Sequence, residues 1–346
     1  MRKQIRKLFT RNLKKWEVCH MKNKLFWVMG SLAITLGLVI SSCGTSASAV
    51  KTYTFAGVQI LNDPFMTAAE QGAKAEAKKL SKEYHVKINI LWTGPGAATD
   101  VSEQIADVES MIARHVNGIF LSPSDATALV PPVERAVAAH IPVVLWNSTL
   151  ADNYDNKLAI NTVISNNYYG GVAGGKEMCK AIGGKGDVAI IEAVTGIPVL
   201  NQRWDGFMKG IQEDCPAVKI VAQEITGNSV SKAAADTESL LVKYPNMAGF
   251  FADDIVNADG VVRGLIASHA INRVKVVAFD AEPEEVQLLQ KGEIYALVAQ
   301  KPYLMGVDSV LYLWRYLHHE SVPKFTNVGY VLMTKSNLPQ TIKWEY

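Results

Sequence analysis

The chain has 346 residues, of which 49% are hydrophobic and 20% charged, an ordinary globular make-up with a formal net charge of +2. That balance is unevenly spread. Residues 1–42 hold nine of the 35 Lys/Arg and one of the 33 Asp/Glu, which leaves the other 304 residues with 26 basic and 32 acidic side chains, a net of −6. Nucleic-acid binding wants a basic face, so this excess excludes it from the functions to consider.

In chain order, residues 1–20 are basic and precede an export signal that is complete from Met21, so Met21 is the expected start and 1–20 an upstream extension. Met21-Lys22-Asn23-Lys24 forms a basic n-region, and Leu25 to Ile40 an uncharged run of 16 residues, ahead of Ser41-Ser42. A spanning helix needs about 20 apolar residues, which makes a cleaved signal over 21–42 the better reading. The small residues before Cys43 resemble the lipobox of bacterial lipoproteins, which implies a lipidated Cys43 at the head of the mature chain, with 43–51 as a tether. A diacylglycerol supplies the two acyl chains that stable anchoring takes, and everything beyond would work outside the cytoplasm. Of the remaining cysteines, Cys179 and Cys215 each fall near the end of an expected helix. An oxidising compartment permits a disulfide between them, and two free buried thiols fit equally well.

From Thr52 onward, strands and helices alternate. Strands are expected at Thr52–Val58, Val86–Leu91, Gly118–Leu121, Pro142–Leu145 and Lys157–Ile160. Helices are expected at Phe65–Lys82, Thr99–Arg114 and Ala126–Ala138. A second set follows, with strands at Asp187–Glu192, Lys219–Ile225, Ala248–Phe251, Lys275–Phe279 and Tyr295–Ala299. Its helices are Gly170–Ile182, Val199–Glu213, Ser229–Lys243, Asn257–Ser268 and Pro283–Gln290. Helix Tyr303–Leu317 and an extended segment Asn327–Met333 end the pattern. Short apolar strands separated by helices mean βα units and parallel sheets covered on both faces. About ten units exceed one doubly wound sheet, so two α/β lobes are expected, with a single eight-unit barrel as the competing architecture.

Open parallel sheets bind ligands beyond the carboxyl ends of their strands. Those tips carry Asp63 and Phe65, Trp92, Trp146 and Asn147, then Arg203 and Trp204 at a helix start, Asn228, Asp253 and Asp254, Asp280 and Gln300. Carboxylates and amides pair with hydroxyls, and aromatic faces cover the C–H patches of a ring. Asp253 and Asp254 are adjacent at a strand end and point to opposite sides, so at most one enters a cleft. No Ser/His/Asp or Cys/His set converges there, so no enzyme activity is expected and no cofactor or metal is implied. Gly170-x4-Gly175-Lys176 comes close to a phosphate loop but continues with Glu177 and follows no strand, so its glycines are read as helix-packing positions. His318-His319-Glu320 closes a helix without further metal ligands.

Several runs look familiar together. Asn62-Asp63-Pro64-Phe65, Gly118 to Ala126, Ile141-Pro142-Val143-Val144, Gln202 to Phe207, Ala278-Phe279-Asp280 and Ala299-Gln300 resemble the ribose/galactose-type periplasmic sugar-binding proteins, the type I solute receptors of ABC importers. The Trp92-Thr93-Gly94-Pro95 turn, with Gln104 downstream, is closer to the rhamnose/autoinducer-2 branch. The resemblance implies two doubly wound lobes joined by a three-segment hinge, near Asn161–Asn166, Gln300–Pro302 and Phe325–Val328. It divides the chain into lobes 52–163 plus 301–326 and 164–300 plus 327–346.

It also implies roles: Phe65 stacking, Asp63 accepting hydroxyls, Arg203 and Asp280 as charged contacts, with Asp254, Gln300, Trp146, Asn147 and Asn228 completing the contact set. Ribose binders carry Asp-Arg where this chain has Trp146-Asn147, and an aromatic where it has Asn228, which points away from ribose and toward another ring, such as a deoxysugar. The implied protein is a monomeric lipoprotein that hands a monosaccharide to an ABC permease. Rivals are presentation of the closed form to a sensor kinase or chemoreceptor, a LacI-type repressor, which would need a helix-turn-helix, and a glycosidase, which would need a paired-carboxylate cleft.

Overall fold

The computed structural model describes residues 50–151 and 157–338; the export signal and Cys43 lie outside them. Two six-stranded sheets form. The first contains β1 (Thr52–Val58), β2 (Lys87–Thr93), β3 (Gly118–Leu121), β4 (Val143–Trp146), β5 (Asn161–Ile164) and β11 (Phe325–Asn327), in the order β11-β5-β4-β3-β1-β2. The second contains β6 (Gly186–Glu192), β7 (Val218–Ile225), β8 (Met247–Ala252), β9 (Lys275–Phe279), β10 (Ala296–Ala299) and β12 (Val331–Thr334), in the order β12-β10-β9-β8-β6-β7. Position for position the two orders are the same. All pairings are parallel except β10 with β12. Two doubly wound sheets replace the barrel alternative.

The helices are α1 (Pro64–Tyr84), α2 (Val101–Ala113), α3 (Val130–Ala138), α4 (Asn167–Ile182), α5 (Pro198–Asp214), α6 (Val230–Lys243), α7 (Ile255–Ala267), α8 (Pro283–Lys291) and α9 (Pro302–Leu317). Strand periodicity assigns the faces. Phe55, Phe120, Val144 and Trp146 pack with α1 and α9, while their neighbours Ala56, Ile119, Val143 and Leu145 pack with α2 and α3. In the second sheet Val188, Ile190, Val277 and Phe279 meet α4 and α5, and Ile191, Phe250, Val276 and Ala278 meet α6, α7 and α8.

Within each sheet, one helix pair packs backbone to backbone. A Cβ on Gly206 would run into the Tyr168 carbonyl, one on Gly175 into that of Phe207, and one on Gly306 into that of Ala69. Gly175 thus serves helix packing between α4 and α5. Cys179 of α4 and Cys215, just past α5, are joined as a disulfide with Cα atoms 5.8 Å apart. Of the two states open to these cysteines in sequence, the structure takes the bonded one, because the close α4–α5 packing brings the C-terminal ends of the two helices together.

The chain passes between the sheets three times: from β5 to α4, from β10 to α9, and from β11 to β12. Ser165 Oγ donates to the Gly329 carbonyl at 2.8 Å, tying the first passage to the third. Two expectations are corrected here. The short strand placed at Lys157–Ile160 lies at Asn161–Ile164, where Asn161 Nδ2 donates to the Pro323 carbonyl at 2.6 Å and to Thr326 Oγ1 at 3.1 Å. That long-range pairing makes strand of a polar stretch that reads as a break. The extended segment Asn327–Met333 splits into the end of β11 and the start of β12, turned at Gly329 with φ +74°.

Candidate functional site

One cavity is lined from both sheets by strand ends and helix starts, including Asp63, Phe65, Asn147, Arg203, Asn228, Asp254, Asp280 and Gln300. Its volume is about 90 Å³. At roughly 10–15 Å³ per water centre, that is room for about six to nine waters, the scale of one small molecule. Twelve apolar and seven polar residues form its walls.

The first sheet contributes Asp63, which ends the β1 turn and caps α1: its Oδ1 accepts from the Met66 amide at 2.7 Å, with Pro64 holding the first helical position. Asp254 does the same for α7, accepting from the Asn257 amide at 2.8 Å. Helix N-termini hold both carboxylates at the cavity, and burial still pushes Asp63 up to about 7 and Asp254 to about 6. Repulsion from Asp280 adds to both shifts.

Arg203, on the first turns of α5, organises the second half of the site. Nε donates to Asn167 Oδ1 at 3.0 Å, Nη1 to the Asp253 carbonyl at 2.6 Å and to Asp280 Oδ2 at 3.3 Å, and Nη2 to Gln300 Oε1. The guanidinium carbon sits 4.4 Å from the Phe279 ring centroid. A buried guanidinium is tolerable only when so fully bonded. Burial raises the Asp280 carboxyl, and Arg203 pulls it back down. Asp253 faces away from the cavity, as alternation requires, and is held by the Ala193 amide at 3.1 Å and Asn257 Nδ2 at 2.8 Å.

Asn147, Asn228 and Asp280 have φ of +59°, +58° and +68°. Asn and Asp are the non-glycine residues most at ease there. Asn147 and Asp280 directly follow equivalent strands, β4 and β9. Their amides make equivalent bonds, to the Val163 carbonyl at 2.9 Å and the Val298 carbonyl at 3.0 Å. One oxygen on each of the three side chains is buried without a hydrogen-bond partner.

Trp146 does not reach this cavity. Its ring is 0% exposed, shares a face with Val144, and packs 5.8 Å from the Trp92 ring under α1 and α9. The turn into the cleft begins one residue later, at Asn147, so the last strand residue still obeys sheet parity. Trp92 is structural too, donating from Nε1 to Gln59 Oε1 at 2.6 Å, and Trp204, on α5 itself, packs half-buried against the core between α4, α5 and the second sheet. Gln104 fastens the first-sheet loops instead of facing ligand, bonding the Gln59 and Ser122 carbonyls and both polar groups of Ser124.

Sequence reasoning missed Glu282 and the apolar wall. Glu282 follows β9, is 8% exposed, and shares the Phe65 backbone N–H with Asp63. Burial, then repulsion from Asp63, Glu285 and Asp280, pushes it up to about 8. The wall comes from Ile197, Val199 and Leu200 at the start of α5, which pack with Ala98 of the first sheet's loops. The only signal was a Pro198 helix start carrying apolar residues in its first turn.

Two doubly wound sheets that contribute opposite halves of one small cavity, apolar-walled with polar groups at its strand tips, define a two-lobed solute receptor. The periplasmic binding protein domain model matches residues 58–321, and the chain belongs to that family of solute-binding proteins. The ribose import binding protein of Haemophilus influenzae is 27% identical over 84% of this chain and 92% of its own length. Two solute-binding proteins of ABC transporters from Agrobacterium vitis have similar structures. One, bound with α-D-tagatopyranose, has a TM-score of 0.79 at 25% identity, covering 85% of this chain and 99% of that one. The other, with bound D-fucose, has a TM-score of 0.78 at 27% identity over 85% and 100%.

Proposed function

We propose that this protein captures one monosaccharide in the cavity between its lobes and delivers it to an ABC importer, held outside the cytoplasm by a lipidated Cys43. The observation that carries the reading is a cavity of single-sugar volume with acceptor oxygens of Asn147, Asn228 and Asp280 left unpartnered on its walls. Hydroxyls would donate to them, and Phe65 with its apolar neighbours would cover the ring. Relatives named for ribose, and structures holding a ketohexose and a deoxyhexose, support a sugar.

The lobes would be 52–163 plus 301–326 and 164–300 plus 327–346, hinged at the three strand passages. Ligand touches both half-sites only when they close, so it shifts the population toward closure by its differential affinity. The permease would read the closed pair, and a monomer suffices for this. The test is a thermal-shift and calorimetric screen of pentoses, hexoses, deoxysugars and polyols, because a ligand of the native state raises Tm. Binding of a sugar that Asp280→Ala leaves unchanged, or no binding by any of them, refutes the reading.

A further inference from the structure

We infer that the ligand this cleft selects is a polyhydroxylated ring bearing a protonated amine. The inference rests on the monosaccharide reading above and narrows it. Charge comes first: three carboxylates line the cavity, Asp63, Asp254 and Asp280, against a single cation, Arg203. Hydrogen-bonding capacity comes second. Of the five guanidinium N–H groups, four are committed to Asn167, Asp253, Asp280 and Gln300. The free oxygen of Asp280 and those of Asn147 and Asn228 have no donor, and Asp280 and Asn147 are 6% and 5% exposed. The walls therefore offer many acceptors and few donors.

A hydroxyl brings one acceptor for each donor and leaves the carboxylates repelling one another. An ammonium group brings three donors, no acceptor and a positive charge. It supplies what the cavity lacks on both counts. The apolar walls strengthen the argument, because a carboxylate kept from water is tolerable only beside a cation or a proton. A metal ion is the less suitable cation: among the described residues no group of three or more His, Cys, Asp or Glu is placed to hold one. Asp254 would take the amine, with Asp63 of the first lobe and the free oxygen of Asp280 acting on its charge from farther off.

The charged groups around this cluster are Asp63 before α1, Asp254 after β8 with Asp253 turned away behind it, Asp280 and Glu282 after β9, Glu285 in α8, and Arg203 in α5. An amine drawn into it holds the carboxylates ionised, so its binding releases protons that the empty cluster carries near neutrality.

The experiment is isothermal titration of the mature chain with amino-deoxy hexoses (2-, 3- and 6-amino) and an aminocyclitol, each against its parent polyol. Titrations in two buffers of different ionisation enthalpy count protons. At least one amine should bind about tenfold tighter than its parent, the margin between a charge-assisted and a neutral hydrogen bond. It should release protons, tighten between pH 5.5 and 7, and lose the margin in Asp254→Asn. Circular dichroism and Tm of that variant show that it is folded. A parent polyol that binds as tightly as its amine overturns the inference and leaves the sugar receptor standing. No binding by any amine or polyol overturns both.

Discussion

Removing the Arg203 side chain tests how the second lobe is held together. Arg203→Met keeps length and apolar bulk but leaves Asp280 buried without its cation, and strips donors from the Asn167, Asp253 and Gln300 oxygens. Breaking a buried ion pair from one side costs about 3–5 kcal/mol. Summing the four bonds at 1.5–3 kcal/mol each would overshoot that range, since Asp280 can take up a proton and limit the loss. For lobes of this size, about 2–4 °C of Tm per kcal/mol puts the expected fall at about 6–20 °C. Urea unfolding of the ligand-free mature chain at pH 7 measures it directly. Arg203→Met/Asp280→Asn should regain about 2 kcal/mol over the single variant, because the uncompensated charge is gone while the other orphaned acceptors remain. Acidification should narrow the single variant's deficit, since a carboxyl raised in the folded state stabilises at low pH and loses that contribution as pH rises. An Arg203→Met chain within about 1 kcal/mol of the parent, or strict additivity in the double variant, would refute this account.

Three further outcomes are expected. Gly306→Ala should destabilise by about 1–3 kcal/mol despite alanine's better helix propensity, because its Cβ meets the Ala69 carbonyl and α9 must draw back from α1; equal or greater stability in urea refutes that packing. Reducing the Cys179–Cys215 bond, which closes a loop of 36 residues, should cost about 4 kcal/mol by chain entropy, read as a Tm drop with reductant that Cys215→Ser abolishes. Asp63 at about 7, Asp254 at about 6 and Glu282 at about 8 all lie above their ordinary 3.8 to 4.5. Their contribution is fully present below pH 4 and is lost as pH rises through 6 to 8, so ligand-free Tm should fall between pH 5 and 8.5, less so in Asp63→Asn. A Tm that rises over that interval contradicts these shifts.

The fold was legible because its signals are local and repeated. Buried runs such as Val143 to Leu145 and Val276 to Phe279 mark strands covered on both faces, and the helices between them allow only parallel pairing. The strand-tip rule then named Asp63, Asn147, Arg203, Asp254, Asp280 and Gln300, all of which line one cavity, without knowledge of their contacts. It failed at Trp146, where the rule for tips and the rule for strand parity give opposite answers. Parity wins as long as the residue is still paired in the sheet: Trp146 is in register with Val163, and only Asn147 leaves the strand. Glu282 and the Ile197–Leu200 wall were out of reach for a different cause. They meet Phe65 and Ala98 only because the lobes lie together, a relation that no local pattern encodes.

Asn147 and Asp280 occupy equivalent places in the two halves of the molecule. Both sheets use the same device after the fourth strand: a left-handed residue that lines the cavity, whose amide bonds the adjacent strand and whose side chain keeps one oxygen unpartnered. Backbone geometry is therefore common to the two halves, and the difference lies in charge. The first half offers an amide and one carboxylate at a helix cap. The second offers two carboxylates with the one guanidinium, which is mostly committed to holding β8, β9 and β10 in place. Exchanging Asn147 for Asp alters the charge at the first turn while asking nothing new of the backbone; exchanging Asp280 for Asn keeps the backbone too but takes the carboxylate from Arg203. The two turns differ in consequence: Asn147 is free of ion pairs, whereas a change at Asp280 removes the carboxylate partner of the buried Arg203.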